Sequence, residues 1–260
     1  MDIQLIPVEQ FQVFLIVTAR VAGFIGAIPV LFSAQTPMRI RTALIFAISL
    51  TLFPLMSGAI KVVNFSPLPF LLLVIGELLL GILLGLIARL IFTAVEFGAT
   101  VIGYQMGFAA ANVFDPQSKK QVALISQFQN VFAILIFLAI NGHHLFLRLA
   151  VKSYELLPPG QFNVSGKAIP FLMEQGSHMF YLGVQFSAPV LAVLLLSGLI
   201  LGVLARVFPQ LNVFLLSFPI NIGTAFVVIA LTLNIVAVTI RQEFDTLPEK
   251  FLTLLSYLRF

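Results

Sequence analysis

The sequence predicts an all-α membrane protein: about six long hydrophobic helices, a short re-entrant-like hairpin and a C-terminal amphipathic helix. Three observations carry this. The 260 residues are 60% hydrophobic and 9% charged, with a mean hydropathy of +1.10, whereas a soluble domain carries about 25% charged residues. Six apolar segments have lengths close to or above the ~20 residues that cross a bilayer core. Residues 175–240 hold a single formal charge, Arg206.

The six segments run Phe11–Leu31, Ile40–Ser57, Phe70–Val95, Val122–Asn141, Phe180–Ala205 and Asn212–Ile240. The chain opens Met-Asp-Ile-Gln, with no basic stretch and no small-residue cleavage site, so the first segment is expected to stay as a transmembrane element. The last two segments form a rigid hairpin. Pro209-Gln-Leu-Asn212 supplies its turn, because proline lacks an N–H and ends the first arm, and Asn212 caps the second. Arg206, Pro209 and Gln210 mark this turn as the polar break.

No soluble domain fits between the segments. The connection Gly142–Met179 begins with an apolar helical stretch, His144–Leu157, too short to span, and continues through Pro158-Pro159-Gly160 as an extended polar run to Pro170. In the tail, Thr246-Leu-Pro-Glu249 reads as a capping box, and Phe251, Leu254, Leu255 and Leu258 share one helical face. That face suits a membrane surface or a docking partner. The expected division is 1–179, 180–241 and 242–260.

Residues 97–120 are the short hairpin. Phe97–Ala111 is too short to span and too apolar for an exposed loop. It carries Gly98, Gly103 and Gly107 and runs into Asn112-Val-Phe-Asp-Pro-Gln-Ser-Lys119. Irregular backbone at membrane depth is tolerated where protein buries it or where it lines a cavity. Two readings follow, re-entry into a pore and a buried interface hairpin.

Net charge is +4, with Lys and Arg scattered singly, which suits interfacial anchors and not a nucleic-acid face. The positive-inside rule does not orient the chain. With six spans and the N-terminus outside, inner loops hold five basic residues (Arg39, Arg41, Lys119, Lys120, Arg206). Outer regions hold seven (Lys61, Arg148, Lys152, Lys167, Arg241, Lys250, Arg259). Small residues recur at four-residue spacing in Ala19/Gly23/Ala27, Gly81/Gly85, Gly103/Gly107 and Gly198/Gly202, a pattern that lets helix backbones approach in lipid.

Glu77 lies deep in the third segment. An intramembrane carboxylate serves proton or ion coupling, or it is paired structurally. Arg89 is twelve residues away, roughly 18 Å along a straight helix, so Arg20 on another segment is the better partner. His143 and His144 project differently and lack acidic neighbours at ligand spacing. Cysteine is absent, excluding disulfides and thiolate metal sites. No H-E-x-x-H, G-x-S-x-G, phosphate-binding or dinucleotide-binding motif occurs, so neither an enzyme nor a cofactor or metal is expected.

Several pieces together resemble the FliR family of flagellar biosynthetic proteins and its injectisome (SctT) counterparts in type III secretion. They are Arg20-Val-Ala-Gly-Phe24, Pro37-Met-Arg-Ile-Arg41, Gly76-Glu77, Gly103-Tyr-Gln-Met-Gly107, Asp115-Pro116, Asn141-Gly-His143, Pro209-Gln-Leu-Asn212 and Phe218-Pro219. The resemblance implies an export-gate subunit in the bacterial inner membrane, at the flagellar basal body. It implies a conduit for unfolded proteins, built with FliP-like and FliQ-like subunits, an FlhB-like protein at the entrance, and an assembly standing largely above the bilayer plane. It further implies that the N-terminal part has a FliP-like role and that the last two helices match a FliQ hairpin. The loop after the third segment would plug the closed channel. Met106, Phe108, Phe114, Asp115 and Pro116 are then gasket and turn residues, with Gly103 and Gly107 giving flexibility. A secondary transporter or ion channel using Glu77 and Arg20 is the alternative from another class.

Overall fold

The computed structural model describes residues 8–28, 36–57, 66–107, 123–163 and 166–259. It is all-α. The helices are α1 (Val8–Gly26), α2 (Met38–Ser57), α3 (Pro67–Gln105), α4 (Ala123–Ala139), α5 (Gly142–Leu156), α6 (Ala168–Val207), α7 (Val213–Asp245) and α8 (Leu247–Tyr257). Among the described residues, five helical stretches are long and apolar enough to cross a membrane, α7 and α8 counting as one; α4 and α5, sharply bent at a short break, make a sixth if taken together. Asn141 sits at that break with φ 56°. Asparagine tolerates this left-handed conformation better than most residues.

Two elements differ from the sequence expectation. The third segment continues to Gln105, so Phe97–Gln105 is the last part of a 39-residue helix and not one arm of a separate hairpin. Gly98, which suggested a bend, serves close packing instead. A Cβ there would lie 2.6 Å from the Gly183 carbonyl oxygen on α6. Likewise α6 starts at Ala168, twelve residues before the expected arm, and carries Pro189 inside it.

The chain forms two compact units that interleave along the sequence. One comprises Met1–Leu90, Asn141–Gln175 and Phe244–Phe260; the other Ile91–Ile140 and Gly176–Glu243.

In the first unit α1 packs on α2, and α5 packs on both α2 and α8. α1 and the first half of α3 cross backbone to backbone. A Cβ at Gly23 would overlap the Leu78 carbonyl, one at Gly81 the Arg20 carbonyl, and one at Gly85 would sit 2.6 Å from the Phe24 carbonyl oxygen. The expected small-residue stripes on α1 and α3 therefore meet each other. Phe24, Phe146 and Phe251, from α1, α5 and α8, form an aromatic trio with centroids 5.4, 5.5 and 6.3 Å apart. Such contacts add about 0.5–1.5 kcal/mol per pair beyond area burial. On α8, Leu247, Phe251, Leu254 and Leu255 are buried within this unit. The Thr246 half of the expected capping box does not form. Thr246 is helical (φ −83°, ψ −10°) and makes no side-chain cap bond, because the chain passes from α7 to α8 through that single residue.

In the second unit the end of α3, α4, α6 and α7 enclose a core that includes Ala99, Ile102, Met106, Ile125, Val190, Leu194, Ala225 and Ile229. Phe97 and Phe180 meet edge to face at 5.4 Å. The hairpin turn forms as expected: α6 stops at Val207, and the Leu215 N–H donates to Asn212 Oδ1 at 3.3 Å. Much of the hairpin surface is apolar and exposed, including Leu195, Leu199, Val203, Val227, Leu231 and Ile235. Gly198, Gly202 and Gly223 have no atom within 4 Å of a built Cβ.

Candidate functional site

Arg20 projects from the buried face of α1 and organises a closed polar node in the first unit. Its Nε donates to Glu77 Oε2 on α3 at 2.5 Å, Nη1 to the Ser153 hydroxyl at 3.3 Å, and Nη2 to the Leu157 carbonyl at 3.0 Å. The guanidinium lies over the Tyr154 ring, 4.0 Å from its centroid. Tyr154 in turn donates its hydroxyl proton to the Val17 carbonyl, and Ser153 donates to the Ala150 carbonyl. Arg20 and Glu77 are 2% and 1% exposed.

The physical reason for this density of bonds is the cost of burial. An ion pair out of water survives only if further hydrogen bonds meet the remaining donors. A planar guanidinium has donors to spare and a face that stacks on an aromatic ring. The node therefore holds three helices at once, α1, α3 and the end of α5. Ser153, Tyr154 and Leu157 were not legible as partners. They lie 133–137 residues from Arg20 in sequence, on a stretch that reads as a connection.

The other expected site residues fall elsewhere. Met106 is fully buried in the core of the second unit. Gly103 is buried within α3. Gly107 ends that helix with φ 92°, its N–H donating to the Tyr104 carbonyl, and a Cβ there would come 3.0 Å from the Phe218 ring. A left-handed glycine just past a helix is a standard stop. Phe108, Phe114, Asp115 and Pro116 lie outside the described residues. Arg206 sits in the last turn of α6, exposed, where a cation complements the helix dipole; Pro209 and Gln210 are exposed in the turn.

His143 and His144 stack at 4.2 Å, tilted. Among the described residues no three His, Cys, Asp or Glu side chains converge as metal ligands. His178 and Glu243 pair at 2.9 Å across the hairpin, far from its turn in sequence.

The sequence profile of bacterial export proteins, family 1, matches residues 11–247. The flagellar biosynthetic protein FliR of Bacillus subtilis (strain 168) is 33% identical over 252 residues, 96% of each chain. FliR of Escherichia coli (strain K12) is 30% identical over 219 residues, covering 84% of this chain and 83% of that one. FliR of Aquifex aeolicus (strain VF5) is 29% identical over 245 residues, 94% of each.

Proposed function

This chain belongs to bacterial export proteins, family 1, with a FliR-like export-gate function, and from that premise we propose that it assembles with FliP-like and FliQ-like subunits into the flagellar protein conduit. In this reading it sits in the inner membrane at the flagellar basal body. An FlhB-like protein stands at the entrance, and unfolded flagellar proteins pass through. The observation that carries the reading is the match along nearly the whole chain to relatives named for flagellar biosynthesis. The exposed apolar hairpin with uncovered glycines supports it, since close helix packing in lipid uses such faces.

Within the assembly the hairpin α6–α7 takes the FliQ-like place, the preceding part the FliP-like place, and α8 the part of an amphipathic helix. The turn at Arg206, Pro209 and Gln210 faces the cytoplasm near the entrance. The segment after α3 plugs the resting channel. Met106, Phe108 and Phe114 form the constriction and Asp115-Pro116 the turn. Gly103 and Gly107 provide the flexibility. Apolar constrictions exclude ions by dewetting while binding a passing polypeptide weakly. An injectisome gate subunit shares this physics. The transporter reading gains nothing from Glu77, whose carboxylate is already matched by Arg20.

Co-expression tests the assembly. The chain alone should aggregate in mild detergent, and with FliP-like and FliQ-like subunits it should give one discrete complex. A stable monodisperse monomer would overturn the reading. Deleting residues 109–115 should leave that complex assembled but leaky to small ions in a planar bilayer; an assembled, ion-tight mutant would remove the plug.

A further inference from the structure

The loop that follows α5 runs over Glu77. Phe162 packs on Gly76, where a Cβ would sit 3.6 Å from its ring, and Gly160, at φ 85°, stands beside Leu73. Between loop and helix lies a cavity of about 480 Å³ walled by Leu72, Leu73, Gly76, Glu77, Pro159 and Phe162. The cavity is not a cation site, since Arg20 already neutralises the carboxylate at its wall.

What holds the loop is the notable feature. Its root is fixed by Arg20, through the Leu157 carbonyl. Its far end is fixed by the end of the chain: the Asn163 N–H donates to the Leu258 carbonyl at 2.9 Å, and Phe162 pairs with Arg259 in an antiparallel bridge. Leu258 is fully buried, and Tyr257 meets Phe171 edge to face at 5.8 Å. Between the two fixed points stand Pro158, Pro159 and Gly160. Neither proline has an N–H, so this stretch has few backbone bonds of its own; the Gln161 N–H turns back to the Pro158 carbonyl at 3.2 Å.

We infer that residues 258–259 are a strap that keeps the 158–163 loop closed over the Arg20–Glu77 node, and so keep water from a buried ion pair that α1, α3 and α5 share. A buried pair is held together by exclusion of water as well as by its own bonds, because its Coulombic term is far larger in a dry site than in a wet one. The strap thus gives residues 258–259 a role beyond that of α8, whose Leu247, Phe251, Leu254 and Leu255 are buried within the first unit.

The test uses the natural absence of cysteine. Ser153→Cys places a near-isosteric thiol in the node, to be probed by a water-soluble maleimide in the co-purified complex. In the full-length chain the thiol should be protected. Truncation after Tyr257 should raise its labelling rate at least ten-fold while the complex still assembles. Asn163→Pro, which deletes the donor to Leu258, should act in the same direction. Unchanged labelling in both variants would overturn the strap, as would rapid labelling of the full-length chain. Failure of both variants to assemble would also overturn it, by showing that the tail is needed to pack the helices. The readout is chemical access at residue 153 in the assembled complex, so it rests on the proposed assembly, whose failure shows as no complex from the parent chain, and it is separate from the plug.

Discussion

The two units use the same small-residue pattern in opposite ways. In the first, Gly23, Gly81 and Gly85 are consumed by the chain itself, where α1 and α3 touch backbone to backbone, and the polar node locks the crossing. In the second, Gly183 and Gly98 serve a similar contact, but Gly198, Gly202 and Gly223 on the hairpin leave open space where a Cβ would stand. Ser197 with Asn221 and His178 with Glu243 give the hairpin arms polar links. Glycine at four-residue spacing thus says that a backbone comes close, not whose backbone it is. Both units keep exposed apolar faces, on α2 and the start of α3 in the first and on the hairpin in the second; what differs is that the glycines of the α1–α3 crossing are covered within the chain and those of the hairpin are open.

Removing Arg20 should break that contrast most severely. Arg20→Ala leaves Glu77 buried and unmatched, a loss of about 3–5 kcal/mol, and the first unit should fail to fold, read as loss of chain from detergent extracts. Glu77→Gln keeps shape and a hydrogen bond. It should cost about 1.5–3 kcal/mol, measured as a lower melting temperature of the complex, and leave the proton dependence of export unchanged. An intact complex that loses proton coupling would restore the transporter reading.

The glycines give the next test. Gly81→Val should cost about 1–3 kcal/mol or more, through overlap with the Arg20 carbonyl. Gly198→Val meets open space, so the chain should keep its own stability and lose only co-purification with FliP-like and FliQ-like partners. If Gly198→Val co-purifies normally, that face looks at lipid. Smallest of all, Ser197→Ala removes one interhelical bond, worth about 0.6 kcal/mol in membrane bundles. It should shift the melting temperature of the complex by a degree or two.

Much of the fold was legible because hydropathy and punctuation speak directly to helix length and turns. The hairpin is the clearest case: Pro209 and Asn212 act where their chemistry says they should, with Asn212 Oδ1 accepting the Leu215 N–H. The continuity of α3 was not legible. Its length suggested a break, and glycines that suggest bends also serve close packing, as Gly98 does against Gly183. Thr246 shows another limit, since a capping box needs a non-helical residue and α7 runs on into α8 with almost no pause. In the site, the Arg20–Glu77 pair could be suspected because each is a rare charge in an apolar run. Tyr154, Ser153 and the Leu157 carbonyl could not, because nothing local distinguishes a serine or a carbonyl that will meet a distant guanidinium.

α3 and α6 have 39 and 40 residues, each near 60 Å at ~1.5 Å per residue, about twice the hydrocarbon thickness of a bilayer. Both are apolar on average, although each carries polar positions, Glu77, Arg89 and Glu96 in α3 and Glu174, Gln175 and His178 in α6, so much of the length beyond a bilayer is still apolar surface. A newly made copy therefore has a deficit of cover that lipid cannot supply. It needs escort during insertion, and its lifetime as an orphan should be short. Excess length of this kind should tie the persistence of each copy to the neighbours that cover it.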